Sequence, residues 1–203
     1  MTNLTMEMLQ EQINELRNDV KMLKGNTKSR VVPAGLKVGD TFELLGLTWK
    51  ILDITEEGYR CHAECLEERV KFDSVCNNWQ GSDLRNYLNT EFRAQLEGAV
   101  GKDNIIPFKR DLLSMDGQTE YGTCEDKVSL LTVDEYRKYR ALIPNTSDYW
   151  WWTITPDSTK CNDDTRWVRV VSPSGDVRNY FCDDNLGVRP FCIFSSSIFV
   201  SCE

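Results

Sequence analysis

Four large rings in a row, Tyr149-Trp150-Trp151-Trp152, constrain this chain more than any other stretch. Rings of this size have to anchor a core or a contact surface, because left in water they drive association. The residues C-terminal to them fix the kind of core. Arg166 to Val171 is rich in Trp and Val and has the composition of a strand. Ser172-Pro173-Ser174-Gly175 places Pro and Gly where a type I turn takes them, so Asp176 to Phe181 is expected to return as the second strand of a hairpin. Val188 to Phe194 is a further strand, with Pro190 marking an edge or a start. Two polar stretches, Thr155 to Thr165 and Arg178 to Asn185, have no hydrophobic period and are expected as loop surface.

The second polar stretch has unusual chemistry. Asn179-Tyr180-Phe181-Cys182-Asp183-Asp184-Asn185 sets two aromatics and a thiol among short polar side chains. Solubility alone does not favour such a loop, whereas contact does, since Tyr and Asn give adaptable contact area at low entropic cost. All five residue types can be written by codons that end in a pyrimidine and differ in their first two bases. Targeted randomisation of Asn codons leaves that pattern, although an ordinary hairpin tip could reach it by accident.

The remaining pattern is mixed. Thr41 to Leu45 and Leu47 to Ile54 form a short-looped hairpin about Gly46, with Leu47, Trp49 and Ile51 alternating, and Tyr59 to Leu66 adds a third strand. Ser82 has the chemistry of an N-cap, and Leu84, Tyr87, Leu88 and Phe92 recur at helical spacing, so Asp83 to Leu96 is expected to be mostly helix. Ile105 to Leu113 is interrupted by Pro107 and charges and is expected to be irregular or a short strand. Val128 to Leu131 is a brief buried strand. Thr132-Val133-Asp134-Glu135 is a capping box that opens a helix from Val133 to about Arg140. Few helices and mostly antiparallel short strands make an α+β fold with much loop.

Ahead of this domain, residues 1–25 carry a heptad. Met6, Ile13 and Val20 fall at a, and Leu9, Leu16 and Leu23 fall at d. This pattern suits a coiled coil, and β-branched a positions with Leu at d favour two parallel strands. An amphipathic helix packed on its own domain is the alternative. Residues 26–37, with Pro33 and Gly35, have the composition of a linker. The domain itself is expected over 38–203.

Charge and composition exclude several classes. The net charge of −8 repels phosphate backbones, and no basic cluster opposes it, so nucleic acid is not an expected partner. No apolar run is long enough for a membrane span, and the N-terminus is acidic and amphipathic rather than basic and then apolar as in a signal peptide. The eight cysteines form no CxxC pair and are expected to be reduced. Cys61, His62 and Cys65 fall short of the four ligands of a structural zinc site. Asp163-Asp164 and Asp183-Asp184 could hold calcium weakly, but have the character of solvated loops. The single histidine, His62, limits acid–base arrangements, and no phosphate loop, GxSxG or HExxH occurs. No catalytic residue, cofactor or metal is expected.

Several motifs together carry a resemblance. Trp79-Gln80-Gly81-Ser82-Asp83-Leu84-Arg85-Asn86-Tyr87-Leu88-Asn89, Val128-Ser129-Leu130-Leu131-Thr132, Trp150-Trp151-Trp152-Thr153 and Gly187-Val188-Arg189-Pro190 with Ser196 to Ser201 resemble an uncharacterised domain of phages and gut Firmicutes. That domain is similar to the formylglycine-generating-enzyme-like branch of the C-type-lectin fold, which includes variable proteins of diversity-generating retroelements. The resemblance implies a variable region over about 149–194, held on a rigid scaffold whose Trp block and Gly-Val-Arg-Pro turn are framework. It also implies display at a phage tail tip or on a bacterial cell surface, a host protein or glycan receptor as partner, and a homo-oligomer through the heptad, with a trimer favoured and a dimer possible. The Glu-Pro-Asn and Trp-Asn-Asp motifs of calcium-dependent lectins are absent. An oxidase of the same branch would need a reactive thiol pair. Cys182 and Cys192 lie in the corresponding third of the chain, and nothing around them in sequence suggests activation.

The expected contact residues are Tyr149, Thr155, Asp157, Lys160, Cys161, Asn162, Asp163, Asp164, Arg166, Arg169, Arg178, Asn179, Tyr180, Phe181, Cys182, Asp183, Asp184 and Asn185. Trp150, Trp151, Trp152, Trp167, Val188 and Phe191 are the expected core beneath them. The rival readings are a structural virion or surface protein with an invariant capping domain, and an oxidase of the formylglycine-generating type.

Overall fold

The computed structural model describes residues 35–146, 148–163 and 165–199, all within a compact unit of Val31–Glu203. The heptad and nearly all of the linker lie outside the described residues. The architecture is α+β, built from short, mostly antiparallel strands, few helices and long loops.

The first hairpin pairs β1 (Thr41–Leu44) with β2 (Leu47–Ile54) across Leu45 and Gly46, both at positive φ. That geometry matches the twist of the strands, and it costs strain at Leu45, a residue with a γ-branched side chain. Alternation along β2 buries Trp49 and Ile51 completely. β3 (Tyr59–Ala63) comes after Gly58 and is shorter than the expected Tyr59 to Leu66.

A single helical run comes next. It consists of α1 (Asp83–Tyr87), a π-turn over Leu88–Phe92, and α2 (Arg93–Val100). Ser82 caps it, its hydroxyl accepting from the Arg85 amide at 3.1 Å. The Trp79 to Asn89 motif ties this run to the strands beyond. Trp79 donates its indole N–H to buried Asp126 at 2.8 Å, and Arg85 donates to the same carboxylate at 2.7 Å. Asn89 accepts from the Lys127 and Val128 amides and donates to the Val128 carbonyl.

β4 (Ile105–Ile106) precedes a small hairpin of β5 (Phe108–Asp111) and β6 (Thr123–Asp126), and β7 (Val128–Ser129) comes directly after. β6 has little apolar signal because its buried face carries Cys124 and Asp126. The capping box opens α3 (Val133–Tyr139) as expected. Its Glu135 also receives two hydrogen bonds, of 2.8 and 2.6 Å, from buried Arg110.

β8 (Trp151–Pro156) is buried along its whole length. It pairs with β9 (Trp167–Val171), and β9 pairs with β10 (Val177–Phe181). The expected turn closes this hairpin, with the Gly175 amide donating to the Ser172 carbonyl at 2.9 Å. β11 (Phe191–Phe194) then returns to the main sheet, whose order is β1-β2-β3-β11-β4 with β7 also on β11. Cys192 lies opposite Cys61 and Phe191 opposite His62, so the end of the described chain completes a sheet begun at its start.

Two aromatic-rich clusters fill the space between these layers. One gathers Phe42, Trp49, Phe72, Trp79, Trp152 and Phe194; the other gathers Tyr136, Tyr139, Trp151, Phe108 and Phe191. The expected core needs correction at two positions. Trp150, just ahead of β8, and Trp167, on the open side of β9, are only half-buried, whereas Trp151, Trp152, Val188 and Phe191 are buried.

This packing makes Trp151 a costlier ring to lose than Trp167. Trp151→Ala should lower unfolding stability by about 3–5 kcal/mol in urea titrations, with Trp167→Ala costing well under half as much. Acid should act through two buried groups. Burial pushes the Glu135 carboxyl up, but the charge and hydrogen bonds of Arg110 outweigh burial and hold it below its usual 4.5. Burial, with Arg189 nearby, pushes His62 well below its usual 6.5. Both groups give stability that is full above their unfolded pKa and is lost as pH falls toward the folded one. Melting temperature should therefore start to fall below about pH 6.5 and fall further below about pH 4.5. His62→Phe should remove the first step and Glu135→Gln should flatten the second.

Candidate functional site

The β9–β10 hairpin has one buried and one open face. Val168 and Val170 point into the core and are fully buried. On the other face the register sets Trp167 opposite Phe181 and Arg169 opposite Asn179. The Trp167 and Phe181 rings stack with centroids 3.8 Å apart, and Phe181 is 43% exposed. Arg169 ion-pairs with Asp157, which also accepts from the Asn179 amide group at 3.0 Å. At the end of the hairpin Arg166 pairs with Asp183 at 2.8 Å, and this pairing holds the Asp183 carboxyl below its usual range.

A second loop borders this face. Thr159 caps a 3-10 turn at Lys160–Asn162, and Asp163 closes it in the left-handed region. The turn is fastened to residues 114–120. Asp116 accepts from the hydroxyls of Ser114 (2.5 Å) and Ser158 (2.7 Å) and from the Asn162 amide group (2.8 Å), and these bonds lower its pKa. Glu120 accepts from the Cys161 amide and thiol, each at 3.3 Å. Hydrogen bonds from Thr159 and then Cys161 hold the Glu120 carboxyl down. Met115, 37% exposed, donates its amide to the Pro156 carbonyl at 2.9 Å.

Beneath both loops sits Asn77, completely buried. Its amide group donates to the carbonyls of Ser158 (3.0 Å) and Trp167 (2.9 Å), its oxygen accepts from the Tyr121 hydroxyl (2.8 Å), and its backbone N–H donates to Thr165 (2.7 Å). One side chain thus fixes β9, the 158–165 loop and the segment before β6. Sequence reasoning missed Asn77, Asp116 and Glu120. Asp116-Gly117 is a turn dipeptide that could have flagged the second loop, whereas a buried Asn gives no local signal.

Of the expected contact residues, the structure joins Asp157 with Arg169 and Asn179, joins Arg166 with Asp183, stacks Phe181 on Trp167, and gathers Lys160, Cys161, Asn162 and Asp163 in one turn, with Asp184 half-buried and Asn185 exposed next in the chain. Arg178 is exposed but belongs to the opposite side of β10, in register with Val170. Asp164 lies outside the described residues. Two expected contact residues, Thr155 and Cys182, are corrected as buried, and two more, Tyr180 and Tyr149, are half-buried like several residues of the face. Thr155 is buried in β8, its hydroxyl accepting from the Val133 amide at 3.0 Å. Cys182 is fully buried because its carbonyl accepts from the amides of Phe72 and Asp73 and so draws it inward. Tyr180 is half-buried with its ring 5.2 Å from that of Trp150. Tyr149, also half-buried, sits against Gly187, where a β-carbon would collide with it at 2.8 Å.

Cys182 and Cys192 are both buried. Burial pushes Cys182 up to about 11 and Cys192 well above its ordinary value, opposite to the shift that produces a thiolate nucleophile. Among the described residues no group of three or more His, Cys, Asp or Glu could hold a metal ion, and no helix is long and apolar enough to cross a membrane.

Residues 62–196 match the family model described as Domain of unknown function (DUF6273). The chain belongs to the DUF6273 family. No curated protein and no solved structure matches it. The DUF6273 match runs from β3 to just past β11, so it takes in the Trp block, the β9–β10 hairpin and Asn77. It leaves out the β1–β2 hairpin.

Replacing the hub tests how far the surface depends on it. Asn77→Ala should cost about 1–3 kcal/mol, because it removes the buried amide group that joins the Ser158 and Trp167 carbonyls to the Tyr121 hydroxyl. Hydrogen exchange should rise selectively over 158–167.

Proposed function

We propose that this DUF6273 protein is a non-enzymatic binding protein whose β9–β10 face and neighbouring loops meet a receptor. The observation that carries this reading is the open face itself. An aromatic stack and a set of side chains of both charge signs stand on a hairpin whose underside, Val168 and Val170, is locked in the core. Exposed stacked aromatics beside Arg and Asn are the composition of contact surfaces. A rigid hairpin also lets such side chains change without loss of the core beneath.

The resemblance to retroelement variable proteins of the C-type-lectin fold extends the proposal. On that reading the surface is diversified, the scaffold is C-type-lectin-like, and the protein is displayed at a phage tail tip or on a bacterial cell surface. There it meets a host protein or glycan, with the N-terminal heptad gathering copies into a trimer or dimer so that weak contacts add up. The raised thiol pKa values weigh against the oxidase reading.

Sequencing the gene from a population of its source tests the reading. Differences should concentrate at the codons for Asp157, Arg166, Trp167, Arg169, Asn179, Phe181 and Asp183, and should spare Thr155, Val168, Val170 and Cys182. An invariant face would favour the capping-domain alternative. In the same vein, replacing Phe181, Arg169 and Asp183 together should abolish attachment of the full chain to cells of the host while moving the melting temperature by only a few degrees.

A further inference from the structure

A cleft of about 620 Å³ opens between the β1–β2 turn, the segment just after β3, and the helical run from Asp83. Its volume falls within the range of small-molecule sites, about 300–1,000 Å³. Its walls are apolar, formed by Leu47, Leu66, Leu84 and Phe92. Its rim is acidic. Glu67, Glu68 and Asp83 line it against one cation, Lys71. Among the described residues neither Glu67 nor Glu68 makes an ion pair. Tyr87 stands beside them. Burial first, then the charges of Glu91 and Glu68, push its hydroxyl up.

Two costly local structures meet at this cleft. The helix departs from α geometry for one π-turn, Leu88–Phe92, flanked by Tyr87 and ending on Phe92, both of which line the cleft. Single π-turns inside helices concentrate at functional sites. On the opposite wall Leu45 is held at φ 55°, 40% exposed, in a turn position that Asn or Gly fills without strain. A strained backbone that presents an exposed apolar side chain to a cleft is a cost that binding would explain.

We propose that this cleft binds a small organic cation, an ammonium group on an apolar body, with the body between Leu45, Leu66 and Phe92 and the charge between Glu67, Glu68 and the Tyr87 ring. Carboxylates at the rim attract the cation, and an aromatic face accepts it. The lining of this site shares no residue with the β9–β10 hairpin, and its β1–β2 wall lies outside the residues shared with the family model.

The test is a titration of the full chain with hexylamine, hexanol and hexanoate, read from methyl NMR shifts. Hexylamine should give saturable shifts at Leu45, Leu66 and Leu84, bind at least five-fold tighter than hexanol, and weaken as salt is raised. Hexanoate should not saturate. Glu67→Gln with Glu68→Gln should weaken hexylamine at least five-fold. Leu45→Asn should also weaken it while raising the melting temperature, because the turn strain is relieved. Equal affinity for the three probes, salt-independent binding of hexylamine, or no saturable shift at these methyls would overturn the proposal.

Discussion

The pairing of β11 with β3 is the constraint on which the rest of the fold depends. Phe191 and Cys192 come to lie beside His62 and Cys61 only when the long run of chain between them has been folded out of the way. β11 also carries β4 and β7 on its other side, so one four-residue strand satisfies the edges of three others. Closing so long a loop is unfavourable until both aromatic clusters can form around it. Phe191 and Phe194, fully buried and belonging to different clusters, join the sheet to both halves of the core.

That closure explains how the hairpin can be both rigid and open. β8 is sunk between the clusters, β9 pairs on it, and β10 hangs from β9 as the outer strand. The core takes Val168, Val170 and Val171 of β9. Trp167 and Arg169 are thereby released to the surface, and Asn77 holds the loop ends that would otherwise move. The open face is thus positioned by buried hydrogen bonds from outside its own segment. The exposed pair there, Arg166 with Asp183, joins the two ends of the hairpin, an arrangement worth little in stability and able to exchange partners readily.

Much of this was legible in the sequence. The Ser82 N-cap, the Thr132–Glu135 capping box, the hairpin about Gly46 and the turn at Ser172 to Gly175 each depend on chemistry within a few residues, and each formed as expected. The misses share a different cause. Thr155 opens a polar stretch and Cys182 precedes two aspartates, but both are drawn inward by partners far along the chain, Val133 in one case and Phe72 and Asp73 in the other. The size of Trp167 points inward, yet the strand period places it outward. β6 lacks an apolar signal because buried Asp126 replaces a hydrophobic residue, satisfied by Trp79 and Arg85. Composition marks the stretch as polar, and strand parity together with distant partners decides which of its residues face solvent.

The position of β11 after the hairpin has a genetic consequence. Any lost reading frame or premature stop between Trp151 and Gly187 removes the strand that three others require. Such a chain would leave bare strand edges and unfilled aromatic clusters, a form that proteases clear quickly. The topology thus acts as a proofreading step on its own coding sequence. Substitutions on the open face pass through it, whereas truncated or frameshifted products do not persist as folded protein.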